Sequence, residues 1–201
     1  MRLKRRTNTK AELVAAAVRL GARGGPAAIT IRAIAHEAGI TDAAVYRHYR
    51  SKEELLCHAY ALIIDGMISD KQHLVTSDAP LPEKLHEWVR LSYASFDRDP
   101  EAFTFALATP HVAPQSEHVA TTGHGGLFLE LLERARAAGE VRPCLPELAI
   151  SLFSGLVLSV PRMINEGTLE GPAGAYVDEV AAAAWRIFRP ASVGNEADSP
   201  V

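Results

Sequence analysis

Cysteine is scarce: Cys57 and Cys144 are the only two in 201 residues, which gives neither a disulfide framework nor metal-ligand spacing and fits a reducing compartment. Long apolar runs are missing as well. No 18 consecutive residues are uninterruptedly apolar, and the basic start MRLKRRTNTK has no apolar segment behind it. Neither a membrane partner nor an export leader is therefore expected, and the expected location is cytoplasmic. The sequence also has no phosphate-binding G-x-x-x-x-G-K-[ST], no G-x-S-x-G, no H-E-x-x-H and no dinucleotide fingerprint, so binding is favoured over enzymatic chemistry and no cofactor is expected. No internal repeat is visible.

Hydrophobic residues make up 48% and charged residues 22% of the chain, a balance that folds. Alanine dominates the apolar residues, and glycine and proline fall mainly between periodic stretches, so the expected class is all-α with about nine helices. Charge is unevenly placed. Residues 1–55 carry eleven Lys and Arg against five acids, a net of +6, which leaves −9 for the remainder and −3 for the whole. A basic front on an acidic body points to a polyanionic partner at one end. A solvated basic tail is the plainer alternative for the start itself.

Thr9 and Glu12 have capping-box spacing, and Leu13, Val14, Ala17 and Val18 follow with helical periodicity. Gly21, Gly24, Gly25 and Pro26 place the end of this helix near residue 23. Thr30 caps a short second helix to about 38, and Gly39 makes the turn. Thr41 then caps a third helix over about 42–49. Ser51 and Glu54 open a long helix to about 75, followed by helical stretches at 82–98, 100–108, 123–138, 146–168 and 173–189. Domain limits are expected at 1–55 for the first unit and 56–190 for the second, with a disordered polar tail over 191–201.

The second and third helices have helix-turn-helix proportions. Ile34, Ala35, Ala38, Ile40, Val45 and Tyr49 are expected to hold them together, leaving Thr41, Asp42, Ala43, Ala44, Arg47 and His48 outside. Arg47 is the leading base reader because a guanidinium bonds both O6 and N7 of guanine, while Ala43 and Ala44 suit thymine methyls or close approach. Arg32, Thr41, Tyr46, His48 and Lys52 are placed for phosphates. Arg2 to Arg6 could enter a minor groove.

The run TIRAIAHEAGITDAAVYRHYRSKEELL resembles the DNA-binding domain of the TetR family over about residues 10–56, with Tyr49 where relatives often carry Phe. That resemblance implies a dimeric repressor that binds double-stranded DNA at a palindromic operator and is released by a small-molecule effector. It further implies that Thr41, Tyr46, His48 and Lys52 grip phosphates, that residues from Asp42 to Arg47 read bases, and that Arg32 reaches the backbone. A non-specific architectural DNA binder is the competing function.

In the second unit, residues 146–188 hold two very apolar helices dotted with Ser151, Ser154, Gly155, Ser159 and Ala181 to Ala184. This pattern suits a four-helix homodimer interface, with an ordinary intrachain core as the alternative. A ligand-binding pocket is expected among the middle helices, lined by Trp88, Phe96, Phe103, Phe105 and Phe128. The segment with His111, His118 and His124 spaces its imidazoles by seven and six, which fits no compact ligand pair, so no metal is expected.

Overall fold

The computed structural model describes residues 9–107 and 123–190. The arm Arg2 to Arg6, the histidines His111 and His118 and the tail from 191 lie outside the described residues. Within them the chain forms nine α-helices, one 3-10 turn and no strand. They are α1 Thr9–Ala28, α2 Ile31–Glu37, α3 Asp42–Tyr46, α4 Lys52–Thr76 and α5 Leu81–Arg98, then α6 Pro100–Leu107, α7 His124–Ala137, α8 Pro146–Asn165 and α9 Val177–Phe188. The 3-10 turn, Ala173–Tyr176, leads into α9.

Local chemistry fixes most of these limits. Thr30 Oγ1 accepts from Ala33 N at 3.1 Å, Thr41 Oγ1 from Ala44 N at 3.3 Å and Ser51 Oγ from Glu54 N at 3.1 Å, each satisfying a free amide at a helix start. The Glu54 carboxylate reaches back to Arg50 N at 2.6 Å, one residue before the partner a standard capping box would use. Glu140 Oε2 takes Leu81 N at 2.8 Å, and Asp97 takes the Ala173 and Gly174 amides at 2.8 and 3.0 Å. Acids distant in sequence thus cap the start of α5 and the 3-10 turn.

The first helix breaks close to where its glycines predict, near residue 23, and a further turn carries on to Ala28. Its regular path breaks only at Gly25, where φ is 65° and ψ −170°, a conformation open to glycine. Gly21 lies buried in mid-helix, and a Cβ there would stand 2.7 Å from Phe105 Cδ2. Its missing side chain is what lets α6 sit on α1.

Buried apolar side chains gather into two clusters. One joins Leu13, Ala17, Ile34, Val45, Tyr49, Leu55 and Ala59 with Phe105 of α6; it extends past residue 55 along α4. The other starts at Ile64 and fills the space among α4 to α9. In it Phe128 and Phe153 stack at 4.0 Å with ring planes 2° apart, and Trp88 meets Phe128 edge-on at 5.4 Å. Among the described residues, α8 alone is long and apolar enough to cross a membrane by length and composition. Phe153, Val157 and Val160 of α8 are nonetheless buried in this second core.

Candidate nucleic-acid interface and domain interior

The described part of the basic front is built on α2, α3 and the start of α4. Gly39, with φ 66°, turns the chain between α2 and α3, and Ile40 N donates to Ala35 O at 2.9 Å. Val45 and Tyr49 are buried beneath the turn. That packing points the other face of α3 to solvent: Thr41, Asp42, Ala43, Tyr46 and Arg47 are exposed, Arg32 is exposed on α2, and His48 and Lys52 are half-buried. Tyr46 retains 56% of its surface despite its size. Exposed tyrosine beside exposed arginine on a rigid short helix offers a phenol and a guanidinium to a polyanion.

Ala44 is a correction. It was expected on the outer face, yet it is only 7% exposed. Three residues past the cap, it falls on the inward side of α3 next to Val45, where its methyl cannot reach a base. Thr41, by contrast, accepts the Ala44 amide while its hydroxyl proton remains free to donate. Glu37 is tied to Arg19 at 2.8 Å, and the Arg19 hydrogen bond holds its carboxyl below the usual range.

Three contacts tie this unit to the elements that follow it. Tyr49 Oη and His58 Nδ1 are 2.7 Å apart, joining the end of the recognition segment to α4. Phe105 is fully buried in the first core, and Arg23 of α1 pairs with Glu101 of α6 at 3.1 Å. The expectation that Phe105 lines a pocket of the second domain is thereby corrected. Periodicity placed it on a buried face, but that face packs on Gly21 and the helix-turn-helix core.

The remaining sequence-chosen pocket residues separate into two groups. Trp88 and Phe128 belong to one aromatic cluster with Phe153 and Phe188. Phe96 and Phe103 form their own edge-on pair at 5.5 Å. All four are almost fully buried.

Sequence reasoning missed Lys71 beside Trp88 and read His124 as a solvent-exposed loop histidine, whereas it opens α7 with its Nε2 buried. Lys71 is 1% exposed; its Nζ lies 5.7 Å from the Trp88 ring centre and makes one long hydrogen bond, 3.4 Å to Met67 O. Burial pushes its pKa down to about 8 against the opposing pull of Asp70. The His124 ring stands 5.1 Å from Trp88. Its Nε2 is buried without a partner, and burial, reinforced by Lys71, pushes its pKa down to about 3. Tyr93 Oη is also buried and unpaired, and burial raises its pKa. Lys71 stands on the same helical stripe as Ile64, Met67 and Leu74, so periodicity points it inward, and only its charge argued for solvent.

Elsewhere, α8 presents Leu148 and Leu152 to solvent at 49% and 39% exposure, with the exposed Ser151 and Gly155 near them in the helix. A groove of about 890 Å³ continues this face, walled by Gly155, Leu158, Ser159 and Arg162 of α8 and by α1 and α6.

Comparison with known proteins places this architecture. The family model of the bacterial regulatory proteins of the tetR family matches residues 13–59. An uncharacterized HTH-type transcriptional regulator of Bacillus subtilis, YerO, is 34% identical over 113 residues; the match takes in 55% of this chain and 38% of that protein. The chain thus spans about two fifths of that curated relative. A TetR family transcription regulator from Marinobacter aquaeolei shares the fold with a TM-score of 0.74 at 19% identity, over 90% of this chain and 95% of that one. The transcriptional regulator FadR of Bacillus subtilis, solved in complex with stearoyl-CoA, gives 0.69 at 16% identity over 87% and 96%.

Proposed function

We propose that this chain, which belongs to the tetR family of DNA-binding bacterial regulatory proteins, is a cytoplasmic homodimeric repressor whose hold on a palindromic operator is released by a small-molecule effector. The observation that carries the DNA-binding part is the cap-locked α3 with Thr41, Asp42, Ala43, Tyr46 and Arg47 exposed along one side. Arg47 reads a base, while Thr41, Tyr46, His48, Lys52 and Arg32 hold phosphates and set the register. The functional units follow the division at about residue 55, with α4 shared between them.

Dimerisation is supported by the exposed Leu148 and Leu152 with small neighbours on α8. A second copy seated there would bury an apolar strip that solvent otherwise meets, and would set two recognition helices on half-sites one DNA turn apart. Effector binding among α4, α5 and α7 shifts the population of two arrangements of the dimer. The shift reaches the DNA face along α4, through Tyr49 and His58, and along α6, through Phe105.

Selection of bound sequences from random duplex DNA by the purified protein tests this reading. Enrichment of a palindrome bound by two copies is the expected result. A folded protein that binds scrambled and selected DNA alike, at fixed salt, sinks it in favour of an architectural role.

A further inference from the structure

A lysine ammonium removed from water normally has a carboxylate beside it, because a buried charge without a counter-ion costs several kcal/mol. Lys71 has none. Among the described residues no acid oxygen pairs with it, and its single hydrogen bond, to Met67 O, is long at 3.4 Å. Close by, His124 leaves Nε2 buried and unpartnered against the same Trp88 ring, near enough for the Lys71 charge to act on it. The same histidine is the first residue of α7, whose preceding residue Gly123 supplies no side-chain cap. The opening amides of a 14-residue helix therefore add positive potential at this point.

We propose that Lys71, His124 Nε2 and the uncapped first turn of α7 together form the receptor for the acid group of an organic carboxylate, with Trp88 as its floor. This rests on the reading of the second domain as an effector domain and names the chemical class of the effector. The ammonium supplies the counter-charge, the neutral imidazole donates Nε2–H to one carboxylate oxygen, and the aromatic cluster of Trp88, Phe128 and Phe153 supports an apolar body. At the start of α7, Gly123 is exposed and His124, Gly125 and Gly126 are partly so. A neutral ligand of equal size would leave the ammonium unpaired, so the site distinguishes acids from alcohols.

The test is calorimetric titration of the full chain with octanoate and with octan-1-ol, the same chain length with and without the acid, on the wild type and on Lys71→Met and His124→Leu. The wild type should prefer octanoate. Lys71→Met should weaken octanoate roughly 10- to 100-fold, the value of a charged hydrogen bond, and leave octanol unchanged; His124→Leu should act in the same sense and less strongly. Lys71→Met removes a buried charge and should unfold at no lower denaturant concentration, so lost preference is not lost folding. A wild type that takes up octanoate no better than octanol, or a Lys71→Met protein that keeps the preference, overturns the proposal. DNA selection on the same preparations separates the two readings. Operator binding without acid preference removes the receptor and keeps the regulator, whereas acid preference without sequence-selective DNA binding does the reverse.

Discussion

The two halves of this molecule treat polar groups in opposite ways. In the helix-turn-helix unit the hydroxyls of Thr30, Thr41 and Ser51 each accept a backbone amide, the core is apolar, and Arg32, Tyr46 and Arg47 stand in solvent. In the second unit Lys71, His124 and Tyr93 carry buried polar atoms that are unpaired or nearly so. A surface that meets a polyanion has to offer its charges outward on rigid elements. An interior that takes up a small molecule has to hold groups whose bonding is completed on binding. Exposure marks the proposed DNA face, and unsatisfied burial marks the proposed effector site.

The comparison is open to attack at several points. The largest expected effect comes from the α8 face. With the proposed interface on α8, Leu148→Arg with Leu152→Arg should leave the protein monomeric and cost operator binding about 4–8 kcal/mol, the range of strong interface anchors. Sedimentation velocity on the double variant should show a folded monomer, and a persistent dimer would place the interface elsewhere.

Next is Phe105, which belongs structurally to the first unit although its sequence lies in the second. Phe105→Ala should destabilise the protein by about 3–5 kcal/mol in urea unfolding, and should also loosen the grip of α6 on α1. Stability near that of the wild type, with altered ligand uptake, would return Phe105 to a pocket.

The buried ammonium sharpens the contrast through pH. Lys71 falls from the ordinary 10.5 to about 8 in the folded protein, so between those values the unfolded chain binds the proton and the folded chain does not. Stability therefore rises with pH across that window, by about 3 kcal/mol at most from a shift of this size. His124 acts in the same direction in acid: with its folded pKa near 3, stability falls as pH drops below about 6.5. Denaturant titrations of the wild type and Lys71→Met should differ in the alkaline slope, and coincident curves would show that Lys71 is not sealed from water.

On the DNA side the expected effects are smaller. Arg47→Ala should cost about 1–3 kcal/mol on the selected operator and relax the preference at one base pair. Lys52→Ala should weaken all sequences alike and reduce the salt slope by about 1. Equal losses on selected and random DNA for both variants would contradict the division between reading and gripping.

Helix order and limits were largely legible because caps and turns are local. Thr30, Thr41 and Ser51 cap α2, α3 and α4 as their spacing predicts, and Gly39 adopts its left-handed turn. Gly21 lies within the helix that its spacing predicts, and only packing shows that Phe105 occupies the space of its missing side chain. Ala44 shows the same limit on the recognition helix, since one step of 100° separates an outward residue from an inward one in a five-residue helix.

By itself the sequence determined the all-helical class, the capped helix-turn-helix, the basic front and the apolar character of α8 and α9, because propensity, capping and charge act over a few residues. Only the tertiary structure decided that Phe105 crosses into the first core, that Phe96 and Phe103 pair with each other within the second, and that Lys71 is shut away beside His124. Periodicity tells a side chain which way to face, whereas its neighbour is chosen by helices that meet from distant parts of the chain.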